Sequence, residues 1–182
     1  MHSKQLREHI KHRELVRFRR ASIDERSIYG FLLAFSDSLL LFQYFHDFHP
    51  DGYLLVRRPD VTELGCNDTS RFQRELLQIE GVLEQVDFGF SAPIQSFDSF
   101  LASRAADEIV IVEDEASDPP EFLIGTVSDV ANDAAHIHHF TGTARRSESP
   151  DRISIDRITS CQIASNYIRF YERHFARLAR ME

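Results

Sequence analysis

The stretch SIYGFLLAFSDSLLLFQYF, residues 27–45, decides how this chain of 182 residues folds. It is mostly apolar, contains aromatic and β-branched residues, and has a single glycine, Gly30. It lacks the spacing of an amphipathic helix and is too continuously apolar for a half-exposed strand. We therefore expect one long, strongly bent strand over 28–45, with the turn residues Ser-Asp-Ser at 36–38 at its far end. Gly30 is expected where curvature or a close backbone approach leaves no room for a Cβ atom.

The same pattern occurs a second time at residues 121–140, EFLIGTVSDVANDAAHIHHF. The preceding segments also correspond, because 6–20 and 100–114 both read as a helix end followed by a short apolar strand. The constant offset of about 95 residues predicts an internal duplication; chance alignment of two β-rich halves is the alternative. The corresponding positions are Leu15 and Ile109, Val16 and Val110, Phe18 and Val112, Gly30 and Gly125, Phe35 and Val130, and Cys66 and Cys161.

Each half is expected to contain a helix and several short strands with turns between them, which favours a small β-barrel. Closing strands are expected at residues 52–61 and 151–160. The predicted fold class is mainly β with peripheral helices (α+β), arranged as two tandem small β-barrels related by internal duplication. The expected domains are residues 1–85 and 97–182, joined by a linker at 86–96.

Hydrophobic spacing and capping residues predict three further helices. They cover residues 70–85, which follow the capping residues at 68–70, then 97–106, and finally 165–182, where Ser165 or Asn166 can cap the helix. The first of these carries Phe72, Leu76, Ile79 and Leu83 at helical spacing, and the last carries Ile168, Tyr171, Phe175 and Leu178 in a stripe that we expect to pack on the barrel.

The overall composition is that of a globular domain. The net charge of −8 disfavours general binding to a phosphate backbone. Two cysteines form no disulfide framework, no apolar run reaches the about 20 residues of a membrane span, and the charged N-terminus lacks the apolar core of a secretory signal. A cytoplasmic location is therefore expected, with no contact to a membrane.

The charges are unevenly distributed along the chain. Residues 1–20 hold seven Lys and Arg residues against two Glu, whereas residues 108–118 hold five acids and no base. In the repeat alignment Arg19 and Arg20 fall on the acidic pair at 113–114. Complementary ends favour packing of the two units on each other or a head-to-tail dimer, and open barrel edges invite strand pairing; two solvated faces are the alternative.

Each half resembles an Sm-like barrel, which has an N-terminal helix followed by five short strands from a bent antiparallel sheet. The first Sm motif places a Gly in a bent strand, followed after apolar residues by a turn Asp and more apolar residues. YGFLLAFSDSLLLF at 29–42 is similar, with Asp37 one residue later than the family pattern and Ser36 in the usual place. The fuller string that continues into DGYLLVRR at 51–58 is also similar to a set of uncharacterised bacterial proteins.

The second Sm motif is an apolar residue, Arg, Gly, two variable residues and an apolar residue. Residues 56–61, VRRPDV, resemble it, with Arg58 replacing the Gly, and in the second half Ser154 takes the place of Arg57. In RNA-binding Sm proteins, the turn Asp or Asn and the motif Arg line a base-binding pocket. The resemblance therefore implies such a role for Arg57, and Asp37 is the corresponding turn acid.

Two groups of histidines contain potential metal ligands. In FHDFHPDG, 45–52, His46 and His49 lie beside two aspartates, and we expect Pro-Asp-Gly at 50–52 to turn the chain. A polar hairpin between two strands is the alternative. In AHIHHF, His136 and His138 share a strand face and with a third donor could bind zinc; a solvent-facing strand or histidines hydrogen-bonded within the barrel are the alternatives.

The sequence lacks the patterns of common catalytic sites. There is no Gly-x-Ser-x-Gly, no phosphate-binding glycine loop and no dinucleotide fingerprint. The acids at 113–115 read as a solvated charge run. We therefore expect no enzymatic activity, no cofactor and no small-molecule substrate.

The most favoured function is a non-catalytic binding or assembly module that recognises protein or associates with itself. An alternative is an Sm-like RNA-binding protein that uses Arg57, Arg58 and the basic N-terminal arm. The candidate residues for binding a nucleic acid or a partner are Arg57, Arg58, Asp37, Arg17, Arg19 and Arg20. A third alternative is a metal-dependent enzyme that uses the histidine groups.

Overall fold

The computed structural model describes residues 2–181, which form two compact units that divide between Gln95 and Ser96. The described residues form ten strands and four α-helices, so the prediction of a mainly β fold with peripheral helices is confirmed. No helix between residues 2 and 181 has the length and the apolar character that crossing a bilayer requires.

The first unit is an antiparallel sheet with a helix before it and a helix after it. Its elements are α1 Ser3–Lys11, β1 Leu15–Arg20, β2 Asp24–Phe35, β3 Leu39–His46, β4 His49–Arg57, β5 Glu63–Gly65 and α2 Asp68–Ile79, followed by a short 3-10 turn at Leu83–Gln85. The strand order in this unit is β5-β1-β2-β3-β4.

The second unit has the same succession of elements. They are α3 Phe97–Ala102, β6 Ile109–Asp114, β7 Glu121–Ala131, β8 Ala134–His139, β9 Asp151–Ser154, β10 Ser160–Ile163 and α4 Asn166–Leu178, with a 3-10 turn at Ile155–Arg157. The strand order in this unit is β10-β6-β7-β8-β9, all antiparallel.

The stretch 28–45 is a hairpin, so the prediction of one long bent strand is wrong. Ser36 makes the turn between β2 and β3, because its hydroxyl accepts hydrogen bonds from the backbone N–H groups of Ser38 at 3.2 Å and Leu39 at 2.9 Å. Short polar side chains that satisfy the backbone in this way favour turns over continued strand. In the stretch where a bend is expected, a β-bulge at Leu33 interrupts the regular pairing of β2 with β3.

Gly30 and Gly125 lie where the backbones approach too closely for a side chain, as predicted. A Cβ atom on Gly30 would lie 2.7 Å from the carbonyl oxygen of Gln43, and one on Gly125 would lie 2.1 Å from that of His138. Both obstacles are backbone atoms of the neighbouring strand, which cannot rotate away as a side chain does. Each glycine therefore fixes the local course of its hairpin.

The hairpins of the two units share one register at an offset of 95 residues. Gly30 pairs with Tyr44 and Gly125 with His139, and the bulge of β2 between Leu32 and Ala34 recurs in β7. Three further pairs recur in the second unit. The pair Leu32–Phe42 corresponds to Val127–Ile137, Ala34–Leu41 corresponds to Asp129–His136, and Phe35–Leu40 corresponds to Val130–Ala135.

The predicted correspondence of the two cysteines is wrong. Cys161 pairs with Val112 in the sheet of its unit, whereas the counterpart of Val112, Phe18, pairs with Leu64. Leu64 is therefore the counterpart of Cys161, and Cys66 follows the end of β5. Cys161 is buried, and this burial raises the pKa of its thiol.

The sheet of the first unit is apolar on both faces. One face surrounds Phe18 and Phe42, whose rings stack at 4.3 Å, and α1 covers it with Leu6. On the other face Leu15, Phe31 and Phe45 pack against Leu77 of α2 and Val86. Strands buried on both sides explain why 27–45 is continuously apolar.

Residues 86–95 pack on the first unit. The ring of Phe88 meets Phe31 edge-on at 5.3 Å, and Phe90 stacks on Tyr53 at 3.8 Å. The backbone N–H of Asp87 donates to the buried amide of Gln43 at 2.9 Å. The segment that the sequence suggests as a linker therefore contributes side chains to the outer core of this unit.

The second unit is covered by its two helices in a similar way. The helix α3 packs against β7 and β8, and its Phe97, Phe100 and Leu101 are buried. The helix α4 lies against a cluster that contains Ile109 and Phe140. Its predicted stripe contacts this cluster through Ile168, Tyr171 and Phe175, whereas Leu178 is exposed.

Two predicted helices end earlier than expected. The helix α2 ends at Ile79 because Gly81 adopts a left-handed conformation with φ of +68°, which closes the helix with hydrogen bonds from Gly81 to Gln78 and from Val82 to Leu77. The helix α3 ends at Ala102. The predicted cap of α4 is confirmed, since the Ser165 hydroxyl accepts from the N–H of Ile168 at 3.3 Å.

Replacing Gly125 by Ala is expected to lower the free energy of unfolding by about 2–3 kcal/mol, because the new methyl group forces β7 and β8 apart. Urea denaturation followed by circular dichroism measures this. Gly142→Ala is the control, since a Cβ there has no neighbour within 4 Å, and it should change the midpoint little. Equal effects of the two variants would contradict the close-approach interpretation.

Candidate functional site

The residues implied by the Sm-like resemblance lie together at one end of the first unit. Leu39, at the start of β3, pairs with Arg57, at the end of β4. The backbone N–H of Arg58 then donates to the carbonyl of Ser38 at 2.7 Å, which ties the segment after β4 to the β2–β3 turn. Asp37 lies in the same turn. The structure therefore brings Asp37, Arg57 and Arg58 to one place.

Arg58 is occupied by contacts within its own unit. Its guanidinium donates to the carbonyl of Ser36 at 2.9 Å and to the hydroxyl of Ser3 at 3.3 Å, and it lies 5.7 Å from the centre of the Phe35 ring. Its side chain is largely buried. Arg58 thereby connects the start of α1 to the β2–β3 turn, a role that the position of a motif glycine does not suggest.

Arg57 and Asp37 are more accessible than Arg58. Arg57 keeps about a third of its side chain exposed, with Nε 3.9 Å from a carboxylate oxygen of Asp60. The Asp37 side chain is fully exposed and approaches Arg58 at 3.8 Å. Of the three, Arg57 and Asp37 are therefore the side chains that a ligand in solvent can reach.

The arginines of β1 do not form a uniform basic surface. Arg17 and Arg19 reach the same carboxylate, that of Glu63 on β5, at 3.2 and 3.4 Å. Arg20 is buried and pairs in the sheet with Asp24. Hydrogen bonding to Arg26 lowers the pKa of Asp24 despite partial burial. The positive charge at this end of β1 is thus partly neutralised within the first unit.

The basic N-terminal arm is the amphipathic helix α1. Leu6 and His9 are buried, and the ring of His9 hydrogen-bonds the carboxylate of Glu14 at 2.5 Å. Lys4, Arg7 and Lys11 are exposed. The arm is therefore fixed on its sheet, with its lysine and arginine side chains directed to solvent.

The stretch FHDFHPDG is the β3–β4 hairpin, but its turn differs from the predicted one. Asp47 and Phe48, with φ of +44° and +65°, form a two-residue turn of the type that suits a twisted hairpin. His46 and His49 flank the turn as direct cross-strand partners. The predicted turn residues at 50–52 lie within β4 instead.

The histidines of β8 have different neighbours. His136 pairs with Asp129 and with Arg152, and His138 pairs with Thr126. His139, which faces the other side, forms a short hydrogen bond with Asp151. Residues 2–181 contain no group of three or more His, Cys, Asp or Glu residues that could hold a metal ion.

The acids at 113–115 are not a solvated charge run, so this prediction is wrong. Asp114 is only 1% exposed, and it accepts hydrogen bonds from the Arg157 Nε at 2.7 Å and the Ser117 hydroxyl at 2.5 Å. Glu113 accepts from the hydroxyl of Ser160 in β10 at 2.6 Å, and Glu115 accepts from the hydroxyl of Thr159, just before β10, at 2.8 Å. Burial disfavours the charged form of Asp114, but these hydrogen bonds and Arg157 outweigh it and lower its pKa.

Sequence reasoning missed the outward faces of α2 and α4. On α2, Phe72 and Ile79 are 59% and 77% exposed, while Leu77 faces the sheet. On α4, Phe170 is 68% exposed, and the guanidinium of Arg173 lies 4.3 Å from the centre of its ring. A helical projection could have revealed them, because each helix carries apolar residues on more than one side.

Exposed aromatic rings continue from α4 onto its sheet. The Tyr167 ring lies 6.4 Å from Phe122 and 5.2 Å from Tyr171. Tyr171 donates a hydrogen bond to the carbonyl of Gly142 at 3.1 Å. Beside it is an open cavity of about 290 Å³, lined by Gly142, Thr143, Ala144, Phe170, Tyr171 and His174.

Comparisons with protein-family models, with curated proteins and with solved structures give no match for this chain.

Replacing Arg58 by Ala is expected to lower the free energy of unfolding by about 1–3 kcal/mol, because a largely buried guanidinium loses two hydrogen bonds. Arg57→Ala is the matched control and should cost less than about 1 kcal/mol, because it removes one long ion pair of 3.9 Å between two partly exposed side chains. Chemical denaturation of both variants tests this. A larger loss of stability for Arg57→Ala than for Arg58→Ala would contradict the structural role of Arg58.

The Asp114→Asn variant is expected to be destabilised at neutral pH by about 1–3 kcal/mol, because the carboxylate bonded to Arg157 is lost. A carboxyl with a lowered folded-state pKa stabilises above its unfolded pKa of about 3.9 and loses this contribution as pH falls through the folded pKa. The difference between wild type and variant should therefore shrink below about pH 4. Denaturation midpoints from pH 7 to pH 3 measure it, and a constant difference would contradict the assignment.

Proposed function

We propose that this protein is a non-catalytic binding and assembly module that acts through protein–protein contacts. The observation that carries this proposal is the set of large apolar side chains that α2 and α4 hold away from their sheets, above all Ile79 and Phe170. Burying one such side chain is worth about 1.5–3 kcal/mol. Single exposed apolar residues are common, but a helix face that presents several is typical of an interaction site.

The arrangement of strands supports a description of both units as tandem Sm-like barrels that arose by duplication. In each unit a helix precedes five strands in the order 5-1-2-3-4, counted within the unit. The glycine and the bulge of the second strand recur at a spacing of 95 residues. Ser154 and Arg57 occupy equivalent positions, because they pair with Ala134 and Leu39 respectively.

The proposed protein-binding function is tested by affinity capture from the cells that produce the protein. The wild-type chain and the Ile79→Asp/Phe170→Asp double variant serve as baits. Gln78→Asp/Ala176→Asp is the matched control, because these two exposed residues lie on the flanks of the same helices. We expect a protein, including a second copy of the chain, to be retained by wild type and control and lost from the double variant. Equal recovery with all three baits would contradict the proposal.

A second candidate function is RNA binding at the end of the first unit, because Asp37 and Arg57 are accessible there and lie together. Any such binding should weaken steeply with salt. Arg57→Ala should then reduce the mobility shift of mixed RNA at low salt, whereas Arg26→Ala, a change at an exposed arginine of β2, should not. No shift with the wild-type chain at low salt would eliminate this candidate.

A further inference from the structure

The outward face of α2 alternates acidic and apolar side chains. Asp68, Phe72, Glu75 and Ile79 follow one another at spacings of four, three and four residues, so they form one stripe along the helix. The stripe lies opposite Ser70 and Leu77, which are buried. All four residues are exposed, and Glu75 has no ion-pair partner within residues 2–181.

The outward face of α4 carries two basic side chains between two apolar ones. Phe170, Arg173 and Arg177 follow at spacings of three and four residues, and Met181 continues the stripe just beyond the helix end. The helix and its last turn contain four arginines against a single acid, Glu172, in a chain whose net charge is −8. None of the four arginines forms an ion pair within the described part of the chain; they are Arg169, Arg173, Arg177 and Arg180.

We propose that α4 of one copy of this chain docks on α2 of a second copy, with the two helices antiparallel. At about 1.5 Å per residue, Ile79 to Phe72 and Phe170 to Arg177 both span about 10.5 Å. Placing Ile79 on Phe170 therefore brings Glu75 beside Arg173 and Phe72 beside Arg177. Apolar surface is buried, Glu75 meets Arg173, and the guanidinium of Arg177 covers an aromatic ring. The other acid of the stripe, Asp68, keeps its own partner Arg71 at 2.5 Å.

The chemistry of the two faces favours a second copy over a nucleic acid. Ile79, Leu178 and Met181 are exposed aliphatic side chains, which cannot stack on bases as aromatic rings do. The Glu75 carboxylate repels phosphate, yet it falls beside Arg173 when Ile79 is placed on Phe170. Complementary stripes on one chain are what contact between identical copies requires.

This inference rests on the proposed protein-binding function and names its partner. Because the contact joins two different surfaces, an open assembly of any length has one unoccupied α2 at one end and one unoccupied α4 at the other. Such a head-to-tail contact builds a closed ring if the rotation closes, and an open chain otherwise. The protein is then its own assembly partner.

The test uses charge reversal in the full-length chain, with analytical ultracentrifugation from about 5 to 200 µM, the range in which a small interface associates. Wild type is expected to associate with increasing concentration and less so in 1 M NaCl. Glu75→Arg alone and Arg173→Glu alone should each be monomeric, with circular dichroism spectra like wild type. An equal mixture of the two variants should associate again, because Glu75 of one meets Arg173 of the other in an unaltered junction.

The control is Glu25→Arg, the same charge change at an exposed position of β2, which should leave association unchanged. A wild-type chain that remains monomeric at 200 µM overturns the inference, as does a mixture that stays monomeric. If the wild type is monomeric while the bait captures another protein through α2 and α4, this inference fails and the protein-binding proposal stands. Binding of oligouridine that Arg173→Glu abolishes, without any self-association, would replace the second copy by a nucleic acid.

Discussion

The close approach of backbones at Gly30 and Gly125 is the constraint on which the rest of each unit depends. A carbonyl oxygen of the next strand occupies the place where any other residue would carry its Cβ atom. The hairpin can therefore bend tightly at this point, and the bulge a few residues further on increases the twist. The curved sheet has one face for the helix that precedes it and another for the helix that follows. In this way two residues without side chains help to shape the sheets on which the helices pack.

The hydrophobic pattern of the sequence carries most of the fold but not the division of residues 28–45 into two strands. Continuous apolar character reports burial on both faces, and both faces are in fact covered, so the pattern contains no alternation that would mark a strand end. The feature that marks the turn between the two strands is the hydroxyl of Ser36, which accepts hydrogen bonds from the backbone of the turn. A hydrophobic pattern does not record this local chemistry. The same holds at residues 45–52, where Asp47 and Phe48 adopt left-handed conformations while the stronger turn formers Pro50 and Gly52 lie in a strand. Tertiary pairing overrides turn propensity there.

Charge was harder to interpret from sequence than hydrophobicity. Residues 113–115 look solvated because three acids adjoin, but Asp114 is buried and meets Arg157, a residue 43 positions later. Arg58, which stands in the place of a motif glycine, is likewise used to join two segments of its own unit. In both cases the partner lies far away in the sequence. The outward faces of α2 and α4 escape the sequence for a different reason. Helical spacing identifies Phe72 and Ile79 as part of a helix but not the side that they face, and Phe170 lies outside the apolar stripe of α4.

Because residues 86–95 pack on the first unit, the elements shared by the two units and the residues that stabilise the first unit cover different lengths of chain. The unit of repetition ends with α2, because the second unit contains the same succession of elements up to α4. The residues that stabilise the first unit extend further along the chain. Phe88 and Phe90 pack on the outer surface of the first sheet, and the backbone N–H of Asp87 donates a hydrogen bond to the buried amide of Gln43. A first unit excised at the end of its repeat would lose part of its own core and expose a buried polar group. The first unit therefore depends on residues beyond the stretch whose elements recur in the second unit.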